Sequence, residues 1–109
     1  MTSKEIAQMV ADIGLPYAYY QFPDNTEQPT PFICFYIENN DDMYADDKNY
    51  TNIAELTIEL YTDNKSYELE EKVESVLREH ELSWVKSEAY IPAEKMFEEI
   101  YIMEVIKND

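Results

Sequence analysis

The chain has one glycine, one cysteine, one histidine and only 8 lysine and arginine residues, against 24 aspartate and glutamate. Each scarcity removes a class of chemistry. With Gly14 the sole glycine, no phosphate-cradling glycine loop can be built. With Cys34 the sole cysteine, neither an intrachain disulfide nor a thiolate metal cluster can form. Cys34 lies inside the apolar run Phe32–Ile37, which predicts a small buried thiol and not a reactive one. His80 has no second imidazole to share a metal with. It falls near the end of a predicted helix, where a cation interacts favourably with the helix dipole. A catalytic role would need a nucleophile or carboxylate partner that the sequence does not suggest. Basic residues are too few and too scattered for a nucleic-acid patch. No stretch approaches the roughly 20 apolar residues of a membrane span. The segment MTSKEIAQMVADIG lacks the apolar core of a signal peptide, so the sequence points to a protein that is intracellular or assembled inside a cell.

What is abundant is acid, apolar side chain and tyrosine. The 109 residues suit one domain, 1–109, and 45% of them are apolar, enough for a core. The net charge of −16 repels nucleic-acid phosphate and acidic membrane alike. It serves solubility, docks to a basic partner, or lines a path that DNA must traverse without sticking. The ten tyrosines either line a half-buried sheet or mark a surface covered by a partner.

The clearest pattern runs from Ile53 to Leu77. Ala54, Leu56, Ile58 and Leu60 alternate with Glu55, Thr57, Glu59 and Tyr61, the period of a strand with one face buried. Asp63-Asn64-Lys65 breaks that period. Leu69, Val73, Val76 and Leu77 then recur at helical spacing, predicting a helix over 66–80. Upstream, Thr2 and Glu5 form a capping box, and Ile6, Met9, Val10 and Ile13 make a helical stripe over about 3–13. Gly14 sits where a left-handed residue closes a helix, and Pro16 prevents continuation. Tyr17–Phe22 and Phe32–Glu38 read as strands, the second lacking alternation and so covered on both faces. Residues 82–90 and 97–106 read as two more. In the last, Phe97, Tyr101, Met103 and Val105 mark one face and Ile100, Ile102 and Ile106 the other. The expected fold is α+β: a mixed, mainly antiparallel sheet of about five strands with two helices on one face, in the order α-β-β-β-α-β-β. Two helices cannot cover both faces of five strands, so the second face must be covered by something else or stay partly wet.

The polar stretch 39–52 is a long connection, the kind that is often functional. Asp41, Asp42, Asp46 and Asp47 would make an acidic loop, lacking both the spacing and the glycine of a calcium-binding EF-hand. Met43 and Tyr44, apolar in its middle, suit docking onto a partner. No catalytic motif, cofactor site or metal site emerges, and an enzyme is not expected.

Five stretches, GLPYAYYQFP (14–23), PFICFYI (31–37), NNDDMYADD (39–47), LTIELYTDNKSYELEEKVESVL (56–77) and IPAEKMFEEIYIMEVI (91–106), together resemble a family of small structural proteins of siphophages and prophages of Gram-positive hosts. The family comprises tail terminator, tail completion and head–tail joining proteins, and the similarity spans nearly the whole chain. It implies an α+β subunit of a hexameric homo-oligomeric ring that ends the tail tube, meets the head connector and lets DNA pass, located in the virion after assembly in the bacterial cytoplasm. It transfers no active site. On that reading Glu55, Glu59, Asp41, Asp42, Asp46 and Asp47 face the channel or a neighbouring subunit. Phe32, Tyr36, Met43, Tyr44, Tyr61 and Tyr101 are the candidate contacts with tube, connector or neighbour. The alternative is an acidic DNA mimic that occupies a basic site on a host enzyme, which requires carboxylates spaced like phosphates along one surface.

Overall fold

Alternation and helical spacing produce the elements that the patterning predicts, in the predicted order. The computed structural model describes residues 1–23, 27–39 and 53–109. The elements are α1 (Ser3–Ala11), β1 (Tyr17–Tyr19), β2 (Phe32–Asn39), β3 (Ile53–Thr62), α2 (Tyr67–Glu79), β4 (Val85–Ile91) and β5 (Met96–Ile106). One mixed sheet has the strand order β1-β2-β3-β5-β4. Only the β1–β2 pair is parallel; the other three pairs are antiparallel. The fold is therefore α+β.

Local chemistry sets the element ends. The Thr2 hydroxyl accepts from the Glu5 N–H at 3.1 Å, and the Glu5 carboxylate accepts from the Thr2 N–H at 2.8 Å, so two free donors of α1 are satisfied at once. The helix closes at Asp12, shorter than its apolar stripe, and Gly14 takes φ +91°, which suits a residue without Cβ. β1 stops at Tyr19, short of the expected Phe22, because Tyr20 turns to φ 71° and leaves the extended region. Ser66 caps α2 by accepting from the Leu69 N–H at 3.2 Å.

Both helices pack on the same side of the sheet. Ile6, Met9 and Val10 of α1 and Val73, Val76 and Leu77 of α2 share one buried cluster with Ile33, Phe35, Leu56, Ile58, Leu60, Met103 and Val105. The strand residues of that cluster alternate with those of the other face, as period two demands. Each such side chain taken fully from water contributes about 1.5–3 kcal/mol. β5 is an interior strand between β3 and β4, which explains its two apolar faces.

The two faces should differ in their cost of truncation. Leu56→Ala, at a fully buried position, is expected to lower unfolding stability by about 2–5 kcal/mol. Ile106→Ala, on the opposite face and 55% exposed, is expected to lower it by less than about 1 kcal/mol. Urea denaturation of the two variants checks the difference.

Candidate functional site

The face of the sheet turned away from the helices is organised by strand register into four rows. At one end Phe32, Tyr61, Glu98 and Ala89 lie side by side across β2, β3, β5 and β4. The next row is Cys34, Glu59, Ile100 and Ser87. The third is Tyr36, Thr57, Ile102 and Val85. At the other end stand Glu38, Glu55 and Glu104. Apolar side chains here remain open to solvent: Val85 is 72% exposed and Ile102 is 36% exposed, and Ile106 lies beside the acidic end. The sequence expectation of an uncovered second face therefore matches the packing among the described residues.

The carboxylates of this face fall into two groups with different physics. Glu38, Glu55 and Glu104 are exposed, so solvent screens them, yet three like charges directly opposite one another on adjacent strands still destabilise the sheet by a few tenths of a kcal/mol per pair. Glu59 and Glu98 are half-buried. Burial, then the hydrogen-bonded Glu98 carboxylate, pushes Glu59 up to about 7. The Tyr61 hydroxyl donates to Glu98 Oε2 at 2.9 Å, and burial together with the two carboxylates raises its pKa well above the ordinary tyrosine value. Burial and the same two carboxylates push the Cys34 thiol up to about 11, so it stays protonated and unreactive at neutral pH. Near pH 7 Glu59 is thus partly protonated, which lowers the charge at the centre of the face. A surface so neutralised is less costly to bury against another protein.

A second charged cluster lies on the helix side, in the core. Glu70 of α2 and Glu99 of β5 are 3% and 1% exposed. Their carboxylates approach that of Glu88 so that one oxygen of each lies within 4.8 Å of the others, a grouping able to hold a hard cation. The Lys65 ammonium already stands there, 2.9 Å from Glu70, 2.5 Å from Glu88 and 3.6 Å from Glu99. Lys86 adds contacts of 2.6 Å to Glu70 and 2.7 Å to Glu74. Against the cost of burial, hydrogen bonds from Lys86 and from the Tyr101 hydroxyl (2.8 Å) lower Glu74. The cluster is an ion-pair network in which lysine is the cation. Neither Glu99 oxygen makes a hydrogen bond among the described residues. Burial, with the Glu88 and Glu70 carboxyls close by, pushes Glu99 up to about 7.

Of the residues the sequence proposed, Phe32, Tyr36, Glu55, Glu59 and Tyr61 all lie on the uncovered face. Tyr101 does not. It is fully buried on the helix side, where its hydroxyl bonds Glu74 and its ring meets Trp84 at 6.3 Å, so it is a core residue and not a partner contact. Its alternation with Met103 and Val105 required this. Asp41, Asp42, Met43, Tyr44, Asp46 and Asp47 lie outside the described residues. The Glu70–Glu99 network was missed, although period two in Phe97-Glu98-Glu99 meant that one of the two glutamates had to point into the core.

Glu99 has a measurable pH signature. Its folded value lies above the ordinary 4.5, so folding favours its protonated form. The stability this confers is fully present below about pH 4.5 and is lost as pH rises through 7. A rise from 4.5 to about 7 corresponds to about 3 kcal/mol. Glu99→Gln is therefore expected to be more stable than the parent at pH 8, by on the order of 1–3 kcal/mol. It should lose that advantage at pH 4, and paired denaturation curves at the two pH values measure this.

No family model, no curated protein and no solved structure matches this chain.

Proposed function

We propose that the protein is a non-enzymatic assembly component of a siphophage or prophage particle. It is a tail terminator or head–tail joining subunit that forms a ring, most simply a hexamer, at the end of the tail tube. The observation that carries this reading is the helix-free sheet face. It sets exposed Val85 and Ile102 beside a row of three glutamates and next to half-buried Glu59 and Glu98. An apolar strip of this kind on an acidic chain gains by being covered.

The reading has three further supports. The sequence resembles the tail-module proteins along nearly its whole length. A closed ring needs two different patches that meet head to tail, and the sheet offers edges of different length, three-residue β1 at one side and seven-residue β4 at the other. A channel that passes DNA should repel phosphate, and Glu38, Glu55 and Glu104 present three such charges together. The DNA-mimic alternative asks carboxylates to dominate one surface. On this face Ile100, Ile102 and Val85 interrupt them, which favours assembly.

Deletion of the gene from its phage or prophage is expected to give tails of irregular length, or heads and tails that fail to join, seen by electron microscopy. Normal particles would refute the reading. Val85→Asp, at an edge-strand position that is 72% exposed, should retain the parent's circular dichroism and melting behaviour, yet fail to complement the deletion. Full complementation by that variant would remove the helix-free face from the assembly contact.

A further inference from the structure

One end of the helix-free face opens into a groove that the rows above do not account for. It has a volume of about 1040 Å³, large enough for several side chains of a bound segment. It forms where β2 begins, β3 ends, β4 ends and β5 begins. Phe22, Phe32, Tyr61 and Met96 supply its apolar walls, and Glu27, Asp63 and Glu94 its charge. Phe32 and Tyr61 stack with ring centroids 4.8 Å apart, and Phe22 meets Phe32 edge-on at 5.4 Å. Asp63 is held in place by the Thr30 hydroxyl at 2.5 Å. Among the described residues no lysine or arginine lines the groove. Aromatic rings flanked by carboxylates, with no cation of their own, are what a guanidinium seeks: it stacks on a ring and bonds a carboxylate with its fork of donors.

We propose that this groove receives an arginine-bearing segment of a partner protein during assembly. The inference rests on the assembly reading and adds the chemistry of what docks. The occupant follows from charge complementarity. A second copy of this chain is a poor source of cation: four of its eight basic residues, Lys65, Arg78, Lys86 and Lys107, are engaged in its own ion pairs. Among the described remainder, Lys4, Lys72 and Lys95 lie on α1, on α2 and in the turn between β4 and β5, too dispersed to form one basic segment. Nucleic acid is excluded from an acidic groove by sign. A bare metal ion has no use for the aromatic walls. A basic polypeptide satisfies both walls and charge, and the chain's net charge of −16 steers it in.

The test uses the full chain and a defined probe, the peptide Ac-Gly-Arg-Ala-Arg-Gly-NH2, with its lysine and citrulline counterparts. Titration is followed by amide chemical shifts. The expected result is shifts confined to the neighbourhood of Phe22, Phe32, Tyr61, Asp63, Glu94 and Met96, with arginine preferred over lysine and no binding by citrulline. The double variant Asp63→Asn/Glu94→Gln should weaken binding about fivefold or more, the scale of a lost charged or cation–π contact. The control Glu68→Gln/Glu79→Gln, which removes two charges from exposed positions of α2, should not. Equal weakening by both pairs, or shifts spread over α2, would reduce the effect to net-charge attraction and overturn the proposal. So would a dilution-dependent movement of the groove signals without peptide, which would mark a second copy as the occupant. Failure here with Val85→Asp still defective in complementation would remove only the groove's role; normal particles after gene deletion would remove the assembly reading itself.

Discussion

The structure depends on an imbalance of coverage. Five strands present two faces, and two helices suffice for one. α1 and α2 bring their apolar stripes to the side carrying Leu56, Ile58, Leu60, Met103 and Val105, and the cluster that results excludes water almost completely. No helix among the described residues performs that service on the other side, although Cys34 and Thr57 there are buried. The strands cannot respond by making the second face wholly polar, because β2, β3 and β5 are interior and their neighbours need side chains that pack laterally. Tyr36, Thr57, Ile100 and Ile102 meet that need within the sheet. Thr57 is itself buried among them, while half-buried Tyr36 and Ile100 and exposed Ile102 leave a surface that is more stable covered than wet.

Excess acid is the second constraint, and the chain answers it in three ways. On the helix side lysine is imported: Lys65 and Lys86 reach buried Glu70 and Glu99 and partly buried Glu74, while burial also pushes Glu99 towards its protonated form. Breaking such a network by removing one partner strands a charge in low dielectric, while neutralising its least satisfied member relieves it. At half-buried Glu59, burial and the neighbouring Glu98 carboxylate likewise favour the protonated form. Where the surface is open, as at Glu38, Glu55 and Glu104, water screens the repulsion and no partner is needed. All the groups are glutamate, so the differences come from burial and neighbours and not from residue type.

Much of the fold was legible because its signals are local. Ile53–Leu77 alternates, breaks and then turns helical within one short stretch, and the structure reproduces β3, the turn and α2 there. The capping box at Thr2 and the two-sided pattern of residues 97–106 were equally direct. The site was less legible because it is made by register. Phe22, Phe32, Tyr61 and Met96 belong to distant segments, and no periodicity in any of them announces a groove. Tyr101 was misplaced for a different reason: its ring chemistry suggested an interface, whereas its alternation with Met103 and Val105 already fixed it inside. Where the two signals compete, geometry decides, because a strand cannot turn one side chain out without turning its neighbours in.

The two ends of the uncovered face are therefore chemically unlike, and that asymmetry bears on what such a face can do. At one end three solvated carboxylates stand in a row, able to repel an anion but offering nothing that a protein surface would gain by covering. At the other, aromatic walls and three carboxylates surround a space, with half-buried Glu59 and the isoleucines between the ends. A face uniform in charge would attract any basic partner in any orientation. A face graded from screened acid to aromatic groove fixes the orientation as well, because only one end pairs desolvated apolar contact with charge. In an assembly whose subunits must all point the same way, that grading supplies a direction that net charge alone cannot.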